Sequence, residues 1–232
     1  MEKGLISIII PVYNQRKSLS LALYSLDKQI YKNKEIIVVD DGSNEPIEFE
    51  QTQTRKLIRQ DNAGAAAARN AGFKEARGEY VFFYDADVLA KPQMLKHMHA
   101  TLEVKKKASY AYCNYYLGRK KMPAQAFDPS VLAQRNFIST MSLIRSKDFV
   151  GFDESLNRFQ DWDLWLSLYE RGKHGIWINE YLFTAMPQRK GISAWLPKWA
   201  YSPPFCSLPG FRGKVEAYKE AQRIIQQKHG LR

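Results

Sequence analysis

The sequence predicts an α/β protein whose mostly parallel central sheet is flanked by helices. Continuous apolar runs such as LISIIIP (5–11) and EIIVVD (35–40) are typical of strands that are buried on both faces, as in parallel sheets. Between such runs, apolar residues recur with the spacing of one helix face. This alternation of strands and helices is the pattern of βαβ units, which build parallel sheets.

The first half of the chain supplies most of that pattern. After the strand at 5–11, apolar residues from Leu19 to Ile30 follow one helix face, and Ser18 is the predicted N-cap. Further strands are predicted at 35–43, 56–58 and 79–88, with an Ala-rich helix at 63–76 and another helix after Pro92.

The second half is less regular. Strands are predicted at 108–116, 139–145 and 175–178, a helix at 160–172 that ends at Gly172, and an amphipathic helix at 213–230. The segment 195–211 contains four prolines and five aromatic residues, so no regular helix is expected there.

The length and the cysteines fit one cytoplasmic domain. At 232 residues the chain can bury its own core. Cys113 and Cys206 are isolated, which predicts neither a zinc site nor a disulfide framework and favours a reducing, cytoplasmic location. The short apolar run at the start is cut by Pro11 and is interpreted as a strand rather than a secretion signal. No stretch approaches ~18 uninterrupted apolar residues, so no membrane-spanning helix is predicted.

The net charge is +11, and residues 187–232 carry nine Lys or Arg against two Glu. Such a balance suits an anionic partner, which can be a nucleic acid, an acidic lipid or a phosphorylated substrate. A solvated basic surface that binds nothing is the alternative.

Polar residues follow three of the predicted strands. Tyr13 comes after the first strand, Asp41 ends the second, and Asp85 and Asp87 end the fourth. In open parallel sheets, ligands bind in the crevice beyond the carboxyl ends of the strands. We therefore expect these side chains to converge on one ligand site.

Asp85 and Asp87 are separated by a single residue, and two carboxylates so close repel each other unless a cation shares the site. Mg²⁺ or Mn²⁺ typically takes one or two carboxylates and completes its shell with waters and substrate phosphates. The pair therefore predicts a site for a divalent ion and a diphosphate, with a simple polar turn as the alternative.

Five segments occur in an order that resembles a known family: SIIIPVYN, IIVVDDGS, DNAGAAAARNAG, GEYVFFYDADV and FQDWDLWL, within about residues 5–190. Together they resemble the family 2 glycosyltransferases with the GT-A fold. The resemblance implies a domain at 1–194, with a Rossmann-like nucleotide-sugar half at about 1–90 and an acceptor half at about 91–194. Residues 195–232 would form a basic, Pro- and aromatic-rich extension.

The resemblance implies roles for individual residues. The nucleotide-sugar site would comprise Pro11, Tyr13, Asp41, Asn62, Gly64, Arg69 and Asp85. Asp41 would contact the base, and a uridine diphosphate sugar is the favoured donor. Asp87, with Asp85, would bind Mg²⁺ or Mn²⁺. Arg69 has two open roles: it can neutralise a phosphate, or it can form a structural ion pair with one of the acids.

The general base implied by the resemblance is Asp161, with Gln160 where the family typically has Glu. Asp163 is the rival, and Asp161 can instead be the N-cap of its helix. Many family members close a His-containing loop on the diphosphate; the matching stretch here, 187–193, offers Arg189 and Lys190 but no His.

The implied function is inverting transfer of a sugar to an acceptor hydroxyl on a glycan or a lipid-linked saccharide. The alternative is an inactive relative that binds a nucleotide or a glycan as an interaction module. Nucleic-acid binding is not favoured, because RNP, KH, zinc-finger and helix-turn-helix signatures are absent. A dehydrogenase and a P-loop enzyme are not favoured, because GxGxxG and GxxxxGK[ST] are missing. The basic extension either docks on an anionic membrane surface or packs across the catalytic domain.

Overall fold

The computed structural model describes residues 1–186, Leu208 and residues 211–231. The described strands are β1 Glu2–Val12, β2 Lys34–Asp41, β3 Arg55–Gln60, β4 Gly78–Phe83, β5 Val88–Ala90, β6 Tyr110–Leu117, β7 Lys120–Met122, β8 Leu143–Arg145 and β9 Gly175–Ala185. The described helices are α1 Arg16–Asp27, α2 Ala65–Lys74, α3 Met94–Val104, α4 Pro129–Gln134, α5 Gln160–Glu170 and α6 Arg212–Lys228, and a 3₁₀ turn spans Ser146–Asp148.

The described strands form one sheet in the order β3-β2-β1-β4-β8-β6-β9-β5, with β7 paired to β6. Strands β3, β2, β1 and β4 run parallel, as do β6 and β9. The short strand β8 joins the two parallel parts, because it pairs antiparallel with both β4 and β6. The predicted α/β class and mostly parallel sheet are confirmed.

The core consists of two apolar clusters, one on each face of the sheet. In β1, Ile8 and Ile10 pack in the cluster that contains Leu26 of α1, whereas Ile9 packs in the cluster that contains Ala68 of α2. Burial on both faces explains why the strand sequence is continuously apolar rather than alternating.

A glycine lets α2 approach the sheet closely. A Cβ at Gly72 would lie 2.4 Å from the Cγ2 atom of Ile9 and 3.0 Å from the Cγ2 atom of Val39. This close packing fixes α2 on β1 and β2, with its first turn at the carboxyl edge of the sheet.

Several predicted boundaries are wrong by a few residues. Helix α1 begins at Arg16, because the Gln15 carbonyl already accepts the amide of Leu19; Ser18 is therefore inside the helix and is not its N-cap. Ile30 lies beyond the end of α1 and is 51% exposed. The predicted strand 79–88 ends as β4 at Phe83, and a turn separates it from β5.

The C-terminal helix α6 packs on the domain. Ile225 is fully buried in the same cluster as Ala68, and Val215 is also buried. The predicted Pro- and aromatic-rich segment lies almost wholly outside the described residues, as do Arg189 and Lys190. Among the described helices, none has the length and apolarity needed to cross a membrane.

Candidate active site

The loops after β1 and β2 are tied together at the carboxyl edge of the sheet. The Asn14 amide donates to Ser43 Oγ at 2.9 Å, and Asn14 Oδ1 accepts the amide of Asn44 at 2.9 Å. Asn14 has a left-handed backbone with φ of 54°, which asparagine tolerates better than most residues. Beside this tie, Tyr13 is 48% exposed, and Pro11 lies at the end of β1 opposite Val39. The ring of Tyr13 is thus open to a ligand.

Asp41 is buried and holds the loop that precedes α2. Its Oδ1 atom accepts from Gln60 Nε2 at 2.8 Å and from the Ala63 amide at 2.9 Å, and its Oδ2 atom accepts the Gly64 amide at 2.9 Å. Asn62 adds a side-chain bond to the Asp41 carbonyl at 3.0 Å. The structure thus gives Asp41 an anchoring role, and its predicted contact with a nucleotide base stays a prediction.

Gly64 presents the start of α2 to open space. It is the N-cap residue, its φ of 91° strongly favours glycine, and a Cβ there would meet nothing within 4 Å. The first turn of α2 contains no acidic residue. Asp41 already binds the Ala63 and Gly64 amides at this end, so an anion such as a phosphate would be bound by the first-turn amides beyond Gly64, which have no acceptor within the helix.

Arg69 connects the end of β4 to the start of α5. Its NH2 group donates to Asp85 Oδ1 at 2.9 Å and its NH1 group to Gln160 Oε1 at 3.1 Å, while its guanidinium lies 5.3 Å from the ring centre of Phe152. Of the two roles left open by the sequence, the structure shows the ion pair with an acid. Arg69 therefore connects the turn that contains Asp85 and Asp87, here called the DxD turn, to the start of α5, which carries Asp161.

Asp85 and Asp87 lie in the turn between β4 and β5. The Asp85 side chain is 37% exposed, and the Asp87 carbonyl accepts the amide of Met186, just after β9. Two carboxylates in an accessible turn are the donor set that Mg²⁺ or Mn²⁺ uses when substrate phosphates supply further ligands. Among the described residues, no group of three or more His, Cys, Asp or Glu side chains is placed to hold a metal. The pair fits an ion shared with a ligand.

Asp161 lies in the first turn of α5. The N-cap of α5 is Phe159, in a left-handed conformation with φ of 60°, so the interpretation of Asp161 as N-cap is wrong. Burial raises the pKa of Asp161 to about 6, against the opposing effects of the Trp162 amide and the Arg69 charge. Asn136 Nδ2 donates to Asp161 Oδ2 at 2.7 Å. This carboxyl can therefore take up a proton near neutral pH.

The rival acid, Asp163, is held by α6. Its Oδ1 atom lies 2.7 Å from Lys228 Nζ and 2.8 Å from His229 Nε2, and its side chain is 4% exposed. A buried carboxylate that is paired in this way is committed to the fold. Of the two acids, Asp163 is held by α6, and Asp161 stays the predicted base.

Sequence reasoning missed Asn136 and Tyr115. The ring of Tyr115, on β6, stacks on Phe183 with the centres 5.0 Å apart and the planes 4° apart. Burial raises the pKa of Tyr115, and the negative charges of Asp161 and Asp85 raise it further. An isolated aromatic residue in a strand carries no sequence signal that would identify it as part of the site.

Three comparisons with known proteins bear on this site. The model of the family described as "Glycosyl transferase family 2" matches residues 7–150. Glycosyltransferase GlyG of Streptococcus pneumoniae serotype 4 is 34% identical over 119 residues, which cover 48% of this chain and 39% of GlyG. The UDP-Glc:α-D-GlcNAc-diphosphoundecaprenol β-1,3-glucosyltransferase WfgD of Escherichia coli is 28% identical over 180 residues, which cover 72% of this chain and 71% of WfgD.

Among solved structures, residues 1–349 of Staphylococcus aureus TarS in complex with UDP-GlcNAc superpose with a TM-score of 0.67 at 20% identity. The match covers 82% of this chain and 61% of the TarS chain. At this identity the likeness shows the fold, and it confirms the predicted GT-A type. The chain spans 39% of GlyG, so the curated relative is considerably longer than the region compared.

Proposed function

The chain belongs to glycosyl transferase family 2, and from that membership we propose that it transfers a sugar from a nucleotide-diphosphate sugar to an acceptor hydroxyl with inversion at the sugar. The observation that supports this best is the Arg69 bridge, which places the DxD turn next to the helix of Asp161. Arg69 contacts Asp85 and Gln160, the residue before Asp161, so the proposed donor and acceptor groups lie close together, as a direct transfer requires.

The donor would bind along the carboxyl edge of the sheet. The base would lie beside Tyr13 and Pro11, over the loop that Asp41 holds, with uridine as the favoured base. The diphosphate would face the open start of α2 at Gly64, where backbone amides and the helix dipole favour negative charge. Asp85 would accept hydrogen bonds from the ribose hydroxyls.

Mg²⁺ or Mn²⁺ would be held by Asp87, assisted by Asp85. When bound, such an ion neutralises the diphosphate leaving group as a Lewis acid. Arg69 keeps Asp85 at the edge of this site through their ion pair. Arg69 and the metal ion would together offset the repulsion between the two carboxylates.

Asp161 would remove the proton from the acceptor hydroxyl as that oxygen attacks the sugar. A base with a pKa of about 6 is ionised at neutral pH and still accepts a proton effectively. Asn136 donates a hydrogen bond to Asp161 Oδ2 and so fixes the orientation of the carboxylate. The proton of the acceptor would then go to Oδ1. One such base suffices for a single inverting displacement.

The acceptor would be a glycan or a lipid-linked saccharide. We assign the nucleotide-sugar half to about residues 1–90 and the acceptor half to about 91–194, and residues 195–232 to a basic extension. In this proposal the enzyme works in the cytoplasm, with the extension touching the inner face of the membrane. Because α6 packs on the domain, the test keeps the fold and replaces its exposed Lys214 and Lys219 with Gln, which would reduce pelleting with anionic vesicles.

A donor screen tests the reaction. The protein is incubated with UDP-, GDP-, CDP- and dTDP-sugars with Mn²⁺ or Mg²⁺, and released nucleoside diphosphate is measured. We expect release from one donor class, UDP-sugars first. Release from no donor, with an intact fold, would favour the inactive binding module.

Two matched variants test the base. Asp161→Asn should abolish sugar transfer and donor hydrolysis while leaving nucleotide binding intact. Asp163→Asn, two residues further along the same helix, should retain turnover. Equal losses in both variants would show that the effect comes from the helix rather than from the Asp161 carboxylate.

A further inference from the structure

Two tyrosines and two lysines form a patch on the acceptor half that the proposed chemistry does not use. The rings of Tyr116 and Tyr181 lie 4.8 Å apart. Lys91 Nζ lies 5.9 Å from the centre of the Tyr116 ring, and Lys121 Nζ lies 5.7 Å from the centre of the Tyr181 ring. We call this group the tyrosine platform; its tyrosines are partly exposed and its lysines are exposed.

The backbone fixes the platform at the ends of three strands. Lys121 is the direct partner of Tyr116 in the β6–β7 hairpin. Tyr116 also pairs with Thr184 of β9, which pairs in turn with Leu89 of β5. Because strands lie ~4.8 Å apart, the Tyr116 backbone is about 10 Å from Leu89, two residues beyond Asp87. The platform therefore borders the DxD turn.

The platform lies on the face of the sheet that α5 covers. Successive residues of a strand point to opposite faces. Tyr110 and Tyr112 of β6 pack in the cluster that contains Trp165 of α5, whereas Tyr115 packs against the cluster on the other face, so its neighbour Tyr116 points to the α5 face. An acceptor that reaches Asp161 at the start of α5 can continue along this face onto Tyr116.

The charge around the platform is positive. Arg119 and Lys120 follow Tyr116 in the hairpin turn and are both exposed. Glu180, next to Tyr181, contacts His97 at 3.1 Å and subtracts one charge from the four cations Lys91, Arg119, Lys120 and Lys121. Aromatic faces carry negative π density that attracts the C–H edges of a sugar ring, and lysines beside them favour an anionic substituent.

We propose that the tyrosine platform binds the acceptor saccharide at a ring beyond the reacting hydroxyl, with Lys91 and Lys121 on a phosphate that this acceptor carries. The inference rests on the proposed function and names its acceptor class, a phosphorylated saccharide. The phosphate can belong to a diphosphate-linked lipid carrier or to a phosphodiester polymer, and the two sources present the same recognised group.

Binding of defined saccharides tests the proposal. Titration calorimetry at low salt compares chitobiose with its anomeric phosphate, its anomeric diphosphate and its glycerol phosphodiester. Two exposed charge contacts should make the phosphorylated forms bind about tenfold more tightly than the neutral form. A preference for the diphosphate points to a lipid carrier, and a preference for the phosphodiester points to a polymer.

Variants separate the platform from the rest of the site. Lys91→Gln with Lys121→Gln should reduce the tenfold preference to about twofold. Lys107→Gln, an exposed lysine just before the other end of β6, should change nothing. Donor hydrolysis should persist in all of them, because water replaces the acceptor in that reaction.

The outcomes are distinguishable. If the wild-type protein hydrolysed no donor, the proposed function would be overturned. Normal donor hydrolysis with equal binding of neutral and phosphorylated saccharides, or with no binding of either, would overturn the platform alone. If the double variant lost only binding to phosphatidylglycerol vesicles, the platform would be a lipid contact and the acceptor assignment would be wrong.

Discussion

Replacing Asp161 with Asn should make the protein inactive and, at neutral pH, more stable. Asn has nearly the same shape as Asp but carries no charge and cannot accept the acceptor proton. Desolvation of the half-buried Asp161 carboxyl raises its pKa to about 6 from an ordinary value of 3.8, so the folded state disfavours its charged form. The variant removes that unfavourable charge together with the proposed base.

The magnitude follows from the two pKa values. The difference between 3.8 and about 6 corresponds to ~3 kcal/mol of stability that is lost when Asp161 is ionised. Against this, Asn has one acceptor oxygen where Asp161 uses two, for the Trp162 amide and for Asn136. Losing one hydrogen bond costs about 1 kcal/mol, which leaves a net gain of about 2 kcal/mol at pH 7.

The sign depends on pH. The folded-state pKa is raised, so above pH 6 Asp161 is charged in both states and its full cost is present. Between pH 6 and 4 the folded protein takes up the proton first and the cost disappears. Below pH 4 the carboxyl is neutral in both states, and the variant should be slightly less stable than the wild type.

Urea unfolding of both proteins at pH 7.5 and pH 4.5 measures this directly, with donor turnover followed across the same range. Wild-type turnover should fall as pH drops through about 6, because a protonated base is inactive. The reasoning is refuted if Asp161→Asn is less stable than wild type at pH 7.5. It is also refuted if the stability difference is the same at both pH values.

Three further changes test other parts of the site. Arg69→Lys keeps the charge but cannot hold two acceptors in fixed directions, so we expect turnover to fall at least tenfold with nucleotide affinity changed less; unchanged turnover would contradict the bridging role. Lys228→Met removes the ammonium that pairs with Asp163 and should lower the free energy of unfolding by about 1 kcal/mol in urea titrations, with a smaller effect in an Asp163→Asn background. Gly64→Ala forces a side chain into a left-handed backbone and should cost about 1 kcal/mol of stability and weaken UDP binding; equal UDP affinity would argue against a phosphate at this helix end.

The strands and helices that have a clear local pattern of apolar residues were predicted well. The apolar runs of β1 and β2 and the helix face of α1 follow from local periodicity alone. Asp85 and Asp87 were correctly expected at the end of a buried strand, although the strand ends at Phe83 and the acids lie in the turn that follows. The extension of β9 to Ala185 was missed, because bulges in its pairing with β6 break the alternation after Ile178.

The relations between distant residues were not predictable. Arg69 and Gln160 are separated by 91 positions, and nothing local indicates that they meet. The contacts of Lys228 and His229 with Asp163 likewise join residues that are more than 60 positions apart in the sequence. Asn136 and Tyr115 carry no motif, and only the fold brings them near Asp161.

The two acids in the first turn of α5 show how the fold assigns different roles to identical side chains. Asp163 faces Lys228 and His229, so its carboxylate is held by the C-terminal part of the chain. Asp161 forms no ion pair with any described residue and is held by neutral donors in a half-buried position, where desolvation raises its pKa. The sequence motif alone cannot separate the two, since both are Asp and both are close to the helix start. What separates them is the partner on the opposite element: a cation from α6 for one, an amide from the loop at Asn136 for the other.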